Sequence, residues 1–161
     1  GVILVKKEEI RKILFQVELY RRKYFGHQFR TIGLTPGQGQ PRILKNLLDS
    51  GPMTQKALAD LCMLDVTTMS RTLDRLEEAG LLSRKSNPSC RRSFLISLTE
   101  AGVKKAEEVK AIFKEADQMI CACMDEDELE MLYASLCKIR GNFEQAAKKI
   151  SEPSDEKHRE K

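Results

Sequence analysis

The chain has 161 residues, of which 41% are hydrophobic and 32% are charged, and this length and composition indicate one globular core. Its longest apolar runs span only a few residues, whereas a helix that crosses a bilayer needs roughly 20. The five cysteines lack the spacing of a disulfide framework, and the N-terminus shows no secretory pattern. We therefore expect a cytoplasmic protein without membrane contact. The net charge of +4 is unevenly distributed along the chain. Residues 1–80 carry 13 basic and 9 acidic side chains, residues 81–98 carry four basic and no acidic side chains, and residues 99–161 carry 11 basic and 15 acidic side chains. This asymmetry favours a polyanionic partner.

The first 33 residues predict one long amphipathic helix with a basic opposite face, ending near Gly33. Its apolar stripe recurs at steps of three and four residues: Ile10, Ile13, Leu14, Val17, Tyr20, Tyr24 and Phe25. A second helix is predicted to begin about Gln40, because the glycines and prolines of residues 36–41 disfavour earlier helical turns, and to end at residues 50–52.

Two short helices joined by a turn are predicted next. Thr54 is a suitable N-cap for a helix over residues 55–62, with Ala57, Leu58 and Leu61 inward. Asp65 is the next N-cap, for a helix over residues 66–79 that buries apolar residues at steps of three and four. These inward positions are Met69, Leu73 and Leu76, and Gly80 is predicted to end the helix in a left-handed conformation. The pattern is a helix-turn-helix candidate.

After Gly80 the hydrophobic period changes from 3.6 to 2, which predicts a β-hairpin with strands at 81–86 and 93–98 and a basic tip at 87–92. Two more helices are predicted, one over about residues 100–124 and one after the acidic residues 125–128. The last carries a heptad seam: Leu129, Leu132, Leu136, Ile139, Phe143, Ala146 and Ile150. Such a seam needs a partner surface, either in the first helix of the same subunit or in a second subunit, and we expect both. The polar residues 151–161 predict a disordered tail.

The residues of the helix-turn-helix and hairpin suit DNA recognition. Exposed Thr67, Thr68 and Arg71 near the start of the second helix have the chemistry to contact base edges in the major groove, whereas Arg75, one turn on, suits a phosphate. Arg91 and Arg92 at the hairpin tip would enter a neighbouring minor groove. The alternative is a solvated basic hairpin, which the adjoining helix-turn-helix pattern makes less favourable.

Three stretches of this region resemble the MarR family of winged helix-turn-helix transcription regulators. They are Leu34-Thr35 with Gln38, Thr54-Gln55-Lys56-Ala57-Leu58-Ala59, and Ser70 to Arg84, completed by Arg92 and the run Leu98-Thr99-Glu100-Ala101-Gly102. With its flanking helices the resemblance covers roughly residues 8–150. It implies a mostly α-helical fold with a small β-hairpin wing, a DNA-binding lobe at 34–98, and dimerisation helices at 1–33 and 99–150.

The resemblance also implies a function. It indicates a sequence-specific double-stranded DNA-binding transcription regulator, a repressor, that acts as a homodimer on a pseudo-palindromic site. The predicted DNA-contacting residues are Thr54, Gln55, Thr67, Thr68, Ser70, Arg71, Arg75, Arg84, Arg91 and Arg92. The alternative is a winged-helix protein-interaction module that does not bind DNA. No catalytic constellation, metal-ligand set or phosphate loop is present, so neither an enzyme, a cofactor nor a metal site is predicted.

Two departures from the family pattern stand out. Family wings usually carry an aspartate two residues before the conserved arginine, to orient it, and here that position is Cys90. The stretch Gly37-Gln38-Gly39-Gln40-Pro41 is the second departure, at the start of the second helix.

Members of the family are often released from DNA by a small aromatic molecule or by cysteine oxidation. Tyr24, His27 and Phe29 are the predicted effector pocket, with plain core packing as the alternative for the aromatics. Cys90, beside two arginines, is the redox candidate, because a cationic neighbourhood lowers a thiol pKa. The other four cysteines are predicted to be small apolar core residues: Cys62, Cys121, Cys123 and Cys137.

Overall fold

The computed structural model describes residues 4–151 and confirms a mostly helical fold with a small antiparallel sheet. Apart from Ser151, the predicted tail lies outside these residues. In chain order the elements are α1 (Lys7–Thr31), α2 (Gln40–Ser50), β1 (Met53–Thr54), α3 (Gln55–Cys62), α4 (Val66–Glu78), β2 (Leu82–Asn87), β3 (Cys90–Leu98), α5 (Glu100–Cys121) and α6 (Glu126–Ser151). No helix in the described part of the chain is long and apolar enough to cross a membrane.

The chain forms two compact units, divided within α5 between residues 116 and 117. The first unit holds the hydrophobic core, to which α1, α2, α3, α4, the hairpin and α5 all contribute. Its fully buried side chains include Ile43, Leu44, Leu58, Met69, Leu73, Leu76, Ile96 and Val109. The three inward positions predicted for α4 are therefore confirmed.

Side-chain caps fix the starts of both helices of the helix-turn-helix where the sequence predicts them. The Thr54 hydroxyl accepts a hydrogen bond from the Ala57 amide at 3.2 Å, so α3 begins at Gln55. The Asp65 carboxylate accepts one from the Thr68 amide at 2.8 Å at the start of α4. At the other end of α4, Gly80 has φ +73, and the Leu81 amide donates back to the Leu76 carbonyl at 3.0 Å. This Schellman arrangement turns the chain directly into the hairpin.

α3 is rotated from its predicted orientation. Ala57 and Leu61, expected inward, are both exposed, whereas Leu58 and Cys62, four residues apart on one helix face, are fully buried. The prediction for Ala57 and Leu61 was wrong because α3 has only eight residues and carries apolar side chains on several sides. Its spacing therefore does not single out one buried face.

The sheet has the strand order β1-β3-β2, with both pairs antiparallel. Asn87 pairs with Cys90, so only Pro88 and Ser89 form the turn, and the tip is shorter than the predicted six residues. Arg91 and Arg92 accordingly lie at the start of β3 rather than in the turn. The two-residue strand β1 was not predicted, because so short a segment cannot show a period of two.

A glycine allows α5 to start against the backbone that follows α4. The Thr99 hydroxyl donates to the Gly80 carbonyl at 2.6 Å and accepts from the Gly102 amide at 3.0 Å. A Cβ on Gly102 would lie 1.8 Å from the Leu81 carbonyl oxygen. Only glycine fits at this position of the helix.

The second unit contains the end of α5 and all of α6. Asp125 and Glu128 cap α6 reciprocally, each side chain accepting the other's amide hydrogen bond at 2.9 Å. Cys121 and Cys123 are exposed and Cys137 is half-buried, so their assignment to the core was wrong, whereas Cys62 is buried as predicted. Cys123 lies in the turn after α5 with φ +64.

No residue of α6 is buried among the described residues, and its predicted seam leaves large apolar side chains exposed. Phe143 is 72% exposed and Ile150 is 85% exposed. The first half of α1 is similar: Ile10, Ile13, Leu14, Val17 and Tyr20 are all exposed, whereas Tyr24 and Phe25, further along the stripe, are partly buried against the core.

Candidate nucleic-acid interface

α4 has one face in the core and one face open to a ligand. Thr67 and Arg71, four residues apart, are exposed, and Ser70 beside them is half-buried. In the described part of the chain the Arg71 guanidinium enters no ion pair. Since the opposite face buries Met69 and Leu73, the helix is held rigidly and its polar donors and acceptors point outward.

Thr68 differs from its neighbours because its side chain belongs to the helix cap. Its hydroxyl donates to the Asp65 carboxylate at 2.7 Å, in addition to the bond from its amide. These contacts hold the pKa of Asp65 below its usual range. Val66, at the first position of α4, is 77% exposed and was not singled out in the sequence, although a methyl-bearing side chain there can contact thymine.

Gln38, in the loop before α2, accepts hydrogen bonds from two side chains of α4. The Thr72 hydroxyl, 1% exposed, donates to the Gln38 backbone carbonyl at 2.8 Å. The Arg75 guanidinium donates to the Gln38 side-chain oxygen. Arg75 is thus exposed but anchored, with its remaining N–H groups free to meet another acceptor.

Arg84 joins the wing to α4. Its guanidinium contacts the Asp74 carboxylate at 2.8 Å and the Glu77 carboxylate at 2.5 Å, and its side chain is only 22% exposed. Two of its donor groups are therefore directed at α4, which sets Arg84 apart from the other arginines predicted to contact DNA.

The remaining wing arginines are free of carboxylates. Arg91 and Arg92 are exposed and enter no ion pair with any residue from 4 to 151. Asn87 stiffens the tip: its side-chain oxygen accepts from the Ser89 amide at 3.0 Å and its amide donates to the Ser93 hydroxyl at 2.9 Å. A rigid hairpin tip therefore presents two unpaired positive charges.

Cys90 is exposed at this tip. The backbone amide of Arg92 and, next, the Ser93 hydroxyl stabilise the thiolate and lower the pKa of Cys90. The cause is hydrogen bonding rather than the neighbouring guanidinium charges that the sequence suggested. Burial instead raises the pKa of the Cys62 thiol, so the two thiols differ in character.

Thr54 and Gln55 lie where α3 begins. The Thr54 hydroxyl caps the helix, and both side chains are half-buried. Both residues lie at the N-terminus of α3, a position that favours negative charge because of the helix dipole.

A cavity of about 550 Å³ lies in the first unit, between α1, the loop before α2 and α5. Phe25, Phe29 and Phe113 form its apolar wall, with ring centroids 5.4–5.6 Å apart. The other lining residues are Glu18, Arg21, Arg22, Gly26, Pro36, Gly37, Gly39, Pro41 and Arg42.

The cavity includes one of the three residues predicted for an effector pocket. Phe29 lines it, whereas His27 is exposed elsewhere on α1 and the Tyr24 hydroxyl donates to Glu115 at 3.1 Å. The arginines at its rim, Arg21 and Arg22, both contact Glu18 at 2.8 Å and hold the pKa of that carboxyl at about 2.

Comparison with known proteins identifies the family. The MarR family model matches residues 38–94, which contain α2, the helix-turn-helix and most of the wing. A probable transcriptional regulator from Pseudomonas aeruginosa is 30% identical, covering 81% of this chain and 96% of its own, with a TM-score of 0.68. This chain belongs to the MarR family.

Further solved structures agree with this assignment. A MarR transcriptional regulator from Methanosarcina mazei is 26% identical, covering 87% of this chain and 99% of its own, with a TM-score of 0.69. MepR from S. aureus, solved as a complex with DNA, is 23% identical and shares the fold over 86% of this chain and 99% of its own, with a TM-score of 0.73. The family and the fold are those of DNA-binding transcription regulators rather than of enzymes.

Several residues of this MarR-family chain stand out only in three dimensions. Gln38 matches the family pattern, but its bonds to α4 cannot be read from the sequence. The sequence places Arg21 and Arg22 on the basic face of α1, and only the fold brings Arg42 of α2 close to them. No group of three or more potential metal ligands comes together within residues 4–151.

Proposed function

We propose that this MarR-family protein is a sequence-specific transcription repressor that binds double-stranded DNA as a homodimer. The exposed face of α4, with unpaired Arg71 beside Thr67 and Ser70, is the observation that carries the proposal. A recognition helix places such side chains on base edges in the major groove, where arginine donates two hydrogen bonds to guanine.

The contacts around α4 divide into base-reading and phosphate-binding groups. Arg71, with Val66 and Thr67, reads bases, whereas anchored Arg75 and the start of α3 at Thr54-Gln55 meet the phosphate backbone. Thr68 contacts the bases through its methyl group, because its hydroxyl donates its proton to the Asp65 carboxylate.

The wing supplies the minor-groove contact. Arg91 and Arg92 start β3 in a segment, residues 81–98, that contains four basic and no acidic side chains. Their positive charge suits the negative potential of a narrow minor groove. Arg84 positions the wing against α4 instead of contacting DNA, since Asp74 and Glu77 already hold its guanidinium.

The unpartnered apolar side chains of α1 and α6 support a homodimer. Exposed apolar surface on this scale marks an association surface. A two-fold dimer presents two copies of α4, which matches a pseudo-palindromic site with half-sites about one helical turn apart. The DNA partner also implies that the protein acts in the cytoplasm.

The cavity supports release by a small molecule. Its volume of about 550 Å³ lies in the range typical of ligand sites, roughly 300–1,000 Å³. The phenylalanine wall suits an aromatic ring, and Arg42, which enters no ion pair with the described residues, suits an acidic substituent on that ring. A ligand there lowers DNA affinity by favouring a position of the DNA-binding lobe that does not fit the operator.

Fluorescence anisotropy with genomic fragments selected for binding, each compared with a scrambled fragment, tests the proposal. We expect preference for the selected fragment at both 50 and 200 mM salt, with an affinity loss of roughly 10³–10⁵ between them if six to ten phosphates are contacted. Binding that is indifferent to salt, or absent from every fragment, refutes the repressor and favours a protein-interaction module. Sedimentation equilibrium tests the homodimer separately.

A further inference from the structure

We propose that Gln38 is a positioning residue that couples the cavity to the recognition helix α4. The proposal rests on the proposed function, because it names the device by which cavity occupancy changes DNA binding. It follows from one short loop, residues 36–39, which serves two surfaces at once.

The first surface is the cavity. Pro36, Gly37 and Gly39 form part of its wall, opposite Gly26 and Phe29 of α1. A molecule that fills the cavity therefore touches the residues on either side of Gln38.

The second surface is α4. Gln38 accepts a hydrogen bond through its backbone oxygen from Thr72 and another through its side chain from Arg75. Thr72 is 1% exposed, so no solvent replaces its partner if the loop moves away. Displacing Gln38 thus either carries α4 along or leaves a buried hydroxyl unpaired.

The loop is stiff enough to transmit such a displacement. Gly39 is left-handed, with φ +78, and a Cβ there would lie 2.5 Å from a methyl group of Leu64, in the turn between α3 and α4. On the other side, the buried Gln40 side chain accepts the Thr35 amide at 2.9 Å. The Gly39 end of the loop is packed against Leu64 and its Thr35 end is hydrogen-bonded to Gln40, so movement at the cavity wall is passed to the helix-turn-helix.

The test fills the cavity by mutation, because the natural ligand is unidentified. Gly26 lies in the last third of α1, and a Cβ there meets nothing nearer than the flexible Arg30 guanidinium at 3.4 Å. Gly26→Met therefore extends into the cavity, and Gly26→Ala is the matched control that adds only a methyl group. Arg42→Trp, from an exposed position on α2, fills the cavity from another side should Gly26→Met fail to fold.

Amide hydrogen exchange of the full chain measures the effect on α4 without DNA. We expect Gly26→Met to speed exchange of the α4 amides around Thr72 and Arg75 about fivefold or more, and Gly26→Ala to leave it unchanged. In a background that combines Gln38→Ala with Thr72→Val, the same filling should change exchange less than twofold, because both hydrogen bonds between the loop and α4 are absent. Thr72→Val alone removes the buried bond and Gln38→Ala alone removes the bond to Arg75, so each single variant should reduce the effect of filling by less than the double variant does.

Anisotropy with the selected DNA fragment supplies the second measurement. Gly26→Met should weaken binding about tenfold, within the usual range of allosteric couplings, and the Gln38→Ala, Thr72→Val double variant should reduce that effect to under twofold. Equal effects of filling with and without the two hydrogen bonds, in either measurement, overturn the coupling. If the unmodified protein binds no DNA, the proposed function is refuted. The exchange measurement still tests the coupling in that case.

Discussion

Replacing Arg84 by alanine separates a structural arginine from a DNA-contacting one. The sequence places Arg84 among the DNA contacts, whereas the structure directs its guanidinium at Asp74 and Glu77 of α4. We therefore expect Arg84→Ala to destabilise the fold and to leave the number of phosphate contacts unchanged.

The magnitude follows from the burial of the three side chains. Arg84 is 22% exposed, but Asp74 and Glu77 are 57% and 41% exposed, so solvent screens each ion pair. Exposed pairs contribute about 0.2–1 kcal/mol each, and the partial burial of Arg84 places the two together at about 1–2 kcal/mol. For a chain of this size, that loss lowers Tm by about 2–8 °C.

Urea denaturation gives the free energy of unfolding, and anisotropy across a salt series gives the number of phosphate contacts. Lys85→Ala is the matched control: the neighbouring residue is exposed on the same strand, and its loss should change stability by less than about 0.5 kcal/mol. A structural role for Arg84 is refuted if Arg84→Ala keeps full stability while the slope of log K against log salt falls by about 0.9, the value for one phosphate.

Three further predictions test the interface, the thiols and the helix junction. Arg71→Ala should weaken specific binding by about 1–3 kcal/mol and relax preference at one base pair, whereas Arg92→Ala should weaken binding to most sequences alike and flatten the salt slope; unchanged values for Arg92→Ala would exclude a wing contact. Iodoacetamide should modify Cys90 faster than Cys62 at pH 7.5, because the pKa of Cys90 is lowered and that of Cys62 is raised, with mass spectrometry as the measurement; equal rates would contradict the hydrogen-bond assignment. Gly102→Ala should cost about 1–3 kcal/mol or more in urea denaturation, since its Cβ would overlap a backbone carbonyl oxygen, and a neutral effect would show that α5 can shift at its start.

Local signals account for most of the correct predictions. The ends of α3 and α4 follow from Thr54, Asp65 and Gly80, because capping and left-handed residues act within three or four positions along the chain. The hairpin follows from the change of period after Gly80. Burial on α3 was less predictable, since Ala57 and Leu61 are as apolar in the sequence as the buried Leu58 and Cys62.

The sequence by itself therefore determined the order of helices and strands, the helix-turn-helix with its wing, and the family to which the chain belongs. Tertiary structure alone decided which polar side chains contact one another. Arg84 pairs with Asp74 and Glu77, Thr72 and Arg75 donate hydrogen bonds to Gln38, and Arg21 and Arg22 of α1 line a cavity. The physical reason is sequence separation. Caps and periodicity arise from neighbours along the chain, whereas Gln38 and Arg75 lie 37 positions apart and meet only when α4 packs beneath the loop.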